Sequence, residues 1–354
     1  MLSDTPMAER VRLAEQFRGF RRQIAEKVTA ESFRLHPDWA ARYGDRGRSR
    51  GIEDAIYHQD FLCAAIETGN PKVFGDYLRW AAGVLEARGI APGFLHENVE
   101  QISRDLQSRV SSSLALEVAG FIRSARDSAL TIVADVPESV GNVQRLSGIR
   151  ELYVQAILRG QRQAAVSLAV ETVRQGHSLP DVYADILQES MYEIGRRWQS
   201  NCISVAQEHM ATAITQHVIA HLYPLIPPAP SQKGRMVITG VEGEMHQVGP
   251  NIVADMLEST GWDVRFLGVN TPAASVLQAV EEHQADVIGI SATMAFNLPH
   301  VRRLIADTRA IAGRNVRVIL GGGAFRATPE IYKELGAVGV ALDVRSALEL
   351  AARL

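Results

Sequence analysis

The stretch Arg235–Gly249, RMVITGVEGEMHQVG, decides the fold. Its first seven residues are, after Arg235, mostly apolar, with β-branched Val237, Ile238, Thr239 and Val241, too few for a buried helix and right for a buried strand. A short polar loop, Glu242-Gly243-Glu244-Met245-His246-Gln247, then leads into an apolar helical period over Val248–Thr260. Downstream the same alternation repeats. Strand patterns at Asp263–Leu267, Asp286–Ala292 and Val316–Leu320 are separated by helical ones at Ala273–Gln284 and Pro299–Ala312. A shorter helix near Pro329–Leu335, a last strand at Val338–Leu342 and a helix at Arg345–Leu354 complete the series. Buried strands alternating with helices predict a Rossmann-like, doubly wound parallel sheet over residues 233–354, with right-handed crossovers. Ligands of such sheets lie at the carboxyl ends of the strands, so the loops there carry the function.

Those loops lack the GxGxxG of dinucleotide sites, and the chain has no Walker lysine motif. What the first loop offers is His246, with the carboxylate of Glu244 two residues before it and Gly249 three residues after. An imidazole placed there can ligate a metal through one nitrogen while a carboxylate holds the other. A histidine that only packs or caps a loop is the plainer alternative. The other strand ends weigh against it: Ser291-Ala292-Thr293 follows the third strand and Gly321-Gly322-Gly323 the fourth, small residues that predict a slot for a slender group. Glu244-x-His246-x-x-Gly249, followed in order by these two runs, resembles the cobalamin-binding domain. The resemblance implies that His246 is the lower ligand of cobalt and that Glu244, Met245, Gln247, Val248, Gly249, Ser291, Thr293, Gly321, Gly322 and Gly323 contact the cofactor. Glutamate stands at 244 where aspartate is more usual in corrinoid methyltransferases.

Upstream, helical periods at Arg150–Leu158, Arg162–Gln175, Val182–Trp198 and Ser204–Leu222 predict a four-helix bundle over 149–228, ended by the proline-rich run Pro224–Ser231. Pro180-Asp181 opens the third of these helices. Trp198, then nine residues, then Glu208-His209, with Val205 three before the glutamate, is similar to the cap over adenosylcobalamin in light-dependent B12 photoreceptors. The resemblance implies an indole over the upper face, polar contacts from Glu208 and His209, and room left by Val205. Gln199 stands where founding members of that group have a histidine that captures cobalt after photolysis. A photoproduct made by that route is therefore not expected.

Residues 1–140 read as helix after helix, interrupted by an expected loop at 36–52 and ended by the polar stretch Asp135–Gly148. Recognition-helix and wing patterns are missing, so a DNA-reading role is disfavoured. His36, His58 and His96, Arg46, Arg48 and Arg50, and aromatics from Trp39 to Trp80 suit a globin- or phycobiliprotein-like pocket. The domain order resembles photocobilins, which implies biliverdin as a second chromophore held near His36, His58, Arg46 and Arg48. A plain helical core is the alternative.

Across 354 residues, 37 Lys+Arg against 40 Asp+Glu give a net charge of −3, which offers no electrostatic footprint for nucleic acid or an anionic membrane. Two cysteines, Cys63 and Cys202, make no disulfide framework, and no apolar run is long enough to span a bilayer. A cytoplasmic, non-enzymatic protein is expected. Its leading functional expectation is an adenosylcobalamin light sensor that changes its homo-oligomeric state and acts on an unidentified effector. The alternatives are a corrinoid methyl carrier of a methyltransferase system and a B12-responsive transcriptional regulator.

Overall fold

The computed structural model describes residues 2–91, 93–130, 146–227, 233–310 and 315–354. The chain divides into two compact units, residues 1–134 and 135–354. Most of the expected boundary stretch 135–148, the end of the proline-rich run and the tail of the helix expected to 312 lie outside the described residues.

In the first unit the described elements are helices: α1 (Met7–Leu35), α2 (Asp38–Thr68), α3 (Pro71–Glu86), α4 (Gly93–Gln107) and α5 (Ser112–Leu130). α1 and α2 run antiparallel, with Thr29 against Gly51, Arg21 bonded to Asp60 and Arg18 to Glu67. The turn between α2 and α3 follows from sequence: Gly69 takes the left-handed conformation (φ 67°), and Asn70 caps α3 ahead of Pro71. The loop expected at 36–52 is a correction. α2 begins at Asp38, and within it only Gly44 departs from helical geometry (φ 56°, ψ −154°). Gly51, read from sequence as part of a break, instead permits close helix packing, because a Cβ there would meet the Thr29 methyl at 3.0 Å. Helix contact overrides the weak helical preference of glycine.

The second unit begins with four helical rods: α6 (Ser147–Leu158), α7 (Arg162–Arg174), a continuous rod from α8 (Leu179–Asp181) through a π-helical segment Val182–Gln188 into α9 (Glu189–Gln199), and α10 (Val205–Leu222). Ser178 caps the third rod, and a reciprocal Ser204–Gln207 capping box starts the fourth. Strands β1 (Gly234–Gly240), β2 (Trp262–Phe266), β3 (Val287–Ser291), β4 (Arg317–Gly321) and β5 (Gly339–Ala341) form a parallel sheet in the order β2-β1-β3-β4-β5. It is covered by α11 (Val248–Glu258), α12 (Ala273–His283), α13 (Leu298–Ala310), α14 (Tyr332–Leu335) and α15 (Val344–Ala351). The strand order reverses direction between β1 and β3, which is where such sheets open a crevice for ligand. Among the described residues, no helix is long and apolar enough to cross a membrane.

Bundle and sheet share a core. Tyr153, Tyr183, Ile186 and Leu187 pack in one apolar cluster with Val248, Ile252 and Met256 of α11 and Val344 of α15. The π-helical segment supplies the polar seam of this contact. Tyr183 donates to Asp255 Oδ2 (2.8 Å), Gln188 Oε1 accepts from the Val344 amide (3.1 Å), and Asp185 takes a two-pronged bond from Arg345 (2.8 and 3.0 Å). Arg345 also reaches Asp181 at 3.0 Å. Residues 181, 185 and 188 share one face of a regular helix and meet α15, while Tyr183 meets α11 from another side of the rod.

Arg345→Ala leaves the buried Asp185 carboxylate without its strongest partner, and a loss of about 1–3 kcal/mol is expected because Arg345 itself is half exposed. Asp185→Asn in the same chain should recover part of that loss in urea melts. Burial raises the Asp255 carboxyl to about 6, against the bond from Tyr183. The stability from this shift is complete below the ordinary carboxyl value near 3.8 and is lost as pH rises through about 6. Asp255→Asn should therefore be more stable than the parent chain above pH 6, with the difference closing below pH 4 in thermal melts.

Candidate functional site

The site stands on the loop that follows β1, and Glu244 organises it. This carboxylate is fully buried, and each oxygen has its own set of donors. Oε1 accepts from the backbone amides of Met245 and His246, both at 2.9 Å, and lies 2.5 Å from His246 Nδ1. Oε2 accepts from the Thr293 amide (2.6 Å), the Met294 amide (3.4 Å) and Asn297 Nδ2 (3.2 Å). Glu244 thus ties the loop after β1 to the loop after β3 across the point where the strand order reverses. Burial works to raise its carboxyl, but the His246 bond and charge and the backbone amides outweigh it and hold the group down at about 2.

His246 is the counterpart. Its bond to Glu244 raises its protonation range above the ordinary imidazole value, against the effect of burial, and the charges of Glu244 and Glu208 add to the rise. With Nδ1 committed to a carboxylate, Nε2 is the ring atom left to face outward, and the side chain is 57% exposed. A carboxylate behind one imidazole nitrogen and a free second nitrogen is the arrangement that orients a histidine for a metal. Around it, Met245 is 70% exposed and Gly249, in the first turn of α11, faces open space where a side chain would stand. Gln247 sits at the head of α11, and the Val248 side chain is buried in the shared core. These features fit a large flat group approaching His246 from outside.

Ser291 is buried at the end of β3, and Thr293 contributes its backbone amide to Glu244. The glycine run at the end of β4 lies close to neighbouring backbone. Gly322 (φ 100°) would place a Cβ 2.4 Å from the Ala292 carbonyl oxygen, and Gly323 would place one 3.1 Å from that of Thr293. A Cβ on Gly321 would lie 3.3 Å from the Ala341 carbonyl oxygen. The missing side chains let the loop after β4 lie directly against the end of β3, so the space they free is filled by backbone.

From the bundle, Trp198 is half-buried against the bundle core at the end of α9. Across a short loop, Val205 opens α10 with 52% of its surface exposed. Glu208 is pinned by His209 Nδ1 (2.5 Å) and Thr212 Oγ1 (3.0 Å) and acts electrostatically on His246. The first turn of α10 therefore faces the His246 loop. Two residues escaped the sequence reading. Asn297 completes the Glu244 shell, and Asn270, in a left-handed conformation (φ 56°), accepts from the Gly243 amide at 2.8 Å. Asn270 follows β2 directly in Gly-Val-Asn-Thr-Pro, a strand-end position where asparagine tolerates positive φ, and was legible there. Asn297 carried no such signal.

In the first unit, the suggested chromophore residues do not converge. His36 ends α1, bonded to Glu97 (2.9 Å) and stacked on Trp39. His58 is buried in α2, its Nδ1 2.6 Å from the Tyr77 hydroxyl, and burial lowers it to about 4. In the α1–α2 pairing His58 stands level with the Arg21 turn, some fourteen residues from His36, or about 20 Å at helical rise. Arg46 is exposed, and Arg48 lies over the Phe33 ring at 4.6 Å.

Comparison with known proteins bears on the second unit. One B12 binding domain model matches residues 234–352 and another matches 149–223. A dimethylamine corrinoid protein of Methanosarcina acetivorans is 30% identical over 164 residues, covering 46% of this chain and 77% of that one. The chain belongs to the B12-binding corrinoid-protein family. A corrinoid protein of Desulfitobacterium hafniense is 27% identical over 206 residues, 56% of this chain and 94% of that one. The structure of the Methanosarcina barkeri monomethylamine corrinoid protein superposes with a TM-score of 0.53 at 20% identity, covering 59% of this chain and 99% of that chain; it supports the fold. Both family matches lie within the second unit.

Replacing Glu244 by Ala strands six donors from two loops, and a loss of about 2–4 kcal/mol is expected. Glu244's depressed carboxyl stabilises the fold above its ordinary value near 4.5 and ceases to do so as pH falls toward 2. The raised His246 contributes below its ordinary value of 6.5 and loses that contribution as pH rises through its folded value. The parent chain's advantage over Glu244→Gln should accordingly be greatest between about pH 4.5 and 6.5 and vanish near pH 2, as read by denaturant melts across pH.

Proposed function

We propose that the chain is a corrinoid carrier: it holds cobalamin with His246 beneath the cobalt and presents it to partner methyltransferases, without being a catalyst itself. The observation that carries this reading is the buried Glu244 paired with the outward-facing His246 at the strand-order reversal. Cobalamin, when bound, supplies a cobalt centre able to accept and release a methyl group. The rest is the work of the polypeptide. Glu244 keeps the imidazole at one angle and one tautomer, and the amides of Thr293 and Met294 keep Glu244 from turning away. Met245 and the space at Gly249 offer apolar contact and clearance beside the ligand nitrogen. The relatives named for dimethylamine and monomethylamine favour a methyl group as cargo.

A second reading, the adenosylcobalamin light sensor, is favoured by one observation. Trp198, Val205 and the pinned Glu208–His209 pair stand where α10 faces His246, as a cap for a bulky upper ligand would require. Gln199 and the family relatives weigh against it as the leading reading.

The full chain purified with cobalamin should show an absorption spectrum of a histidine-ligated corrinoid, and His246→Ala should convert it to that of the unligated cofactor or lose the cofactor. Retention of an unchanged spectrum by His246→Ala would overturn the assignment of the lower ligand. Trp198→Ala separates the two readings. A carrier keeps its methyl form unaltered, whereas a sensor loses preference for the adenosyl form and bleaches in green light with a change in elution volume. Biliverdin supplied in parallel should leave the spectrum of residues 1–134 unchanged if that unit is a plain helical core.

A further inference from the structure

A second group of side chains of metal-ligating type lies toward the far end of α10, nine residues and more beyond Glu208. His217 and His221 are four residues apart, which places them on the same face one turn above the other. Their ring centroids are 4.3 Å apart with an interplanar angle of 66°. His221 Nδ1 is 2.9 Å from the His217 carbonyl oxygen, so Nδ1 carries the proton and Nε2 keeps its lone pair. A backbone carbonyl behind one imidazole nitrogen is the support that metal-ligating histidines typically have. His221 is exposed and His217 half-buried, so an ion can reach both from solvent.

We propose that His217 and His221 form a two-histidine chelate for a divalent transition ion that prefers square-planar or tetragonal geometry, copper(II) or nickel(II). The separation of the rings allows one ion to bridge them. With metal–nitrogen bonds of about 2.0–2.1 Å and each ring centre about 1.2 Å behind its nitrogen, two imidazoles at right angles put their centroids about 4.5 Å apart, and at the tetrahedral angle about 5.2 Å. The observed 4.3 Å leaves both rings within reach of one ion, and among divalent first-row ions copper(II) and nickel(II) bind imidazole most tightly and suit a two-nitrogen tetragonal site. The pair also sits in the last turns of α10, where the helix carbonyls favour a cation. Burial lowers the protonation range of the His217 ring, and the neighbouring charges of His221 and of Arg162 on α7 add to the fall. Among the described residues no three of His, Cys, Asp and Glu gather round one point, so the remaining coordination positions are left to water or to a partner's side chain.

The test uses the full chain without an affinity tag, titrated with copper(II) in competition with a chromophoric chelator. One equivalent should bind with the electron paramagnetic resonance signature of two imidazole nitrogens. His221→Gln and His217→Ala should each weaken binding by at least about tenfold, and the double variant should lose the two-nitrogen signature. Binding of cobalamin, which depends on His246, should be unaltered in the same variants and serves as the check of folding. Copper binding by the double variant at parental affinity, or a parental spectrum showing fewer than two imidazole nitrogens, would overturn the proposal.

Discussion

A single buried carboxylate holds the candidate site in shape. Glu244 has no exposure, yet it is charged, because every direction in which it could lose solvation is met by a donor. An ion this deep is tolerated only when hydrogen bonds replace its water, and here the donors come from two loops that belong to different strands. The angle of the His246 ring is therefore not a property of its own loop. It is fixed by the relative position of the ends of β1 and β3, and so by the sheet register itself.

The same logic of shared ownership governs the contact between bundle and sheet. The apolar cluster supplies most of the adhesion, since it runs without a break from Tyr153 through Tyr183 to Met256 and Val344. Direction comes from the polar seam on the π-helical segment, where a tyrosine, a carboxylate and an amide each find one partner on α11 or α15. The two sets of partners lie on different helices of the sheet layer, so one rod grips both α11 and α15.

Much of this was readable from the chain. The strand and helix alternation after residue 233 was legible because strands covered on both faces read as short β-branched runs, and all five strands fall within a residue or two of their expected ends. His246 and Glu244 drew attention by their place at the first strand end, and gained weight only beside the small residues at the next two. Three things were not. The π-helical segment has the same composition as its neighbours, and nothing in a 3.6-residue period announces one extra residue. Asn297 joins Glu244 from a position fixed by tertiary structure. The glycines at 47 and 51 were read as breakers, whereas α2 continues through them and Gly51 meets α1 at close range, a contact that exists only once the two helices have met.

The Arg345–Asp185 pair joins residues 160 positions apart in the chain. During synthesis at about 5–20 residues per second, Asp185 emerges roughly 8–30 s before the guanidinium that neutralises it. The helical rods of residues 147–222 are complete in that interval, but their π-helical face carries an unmatched carboxylate and an uncovered apolar seam. The bundle can therefore reach its final form only after the last helix of the sheet has been made. Vectorial assembly then places the bundle in waiting and leaves α15 to close the unit, so the first helices of the unit are the ones whose packing is completed last.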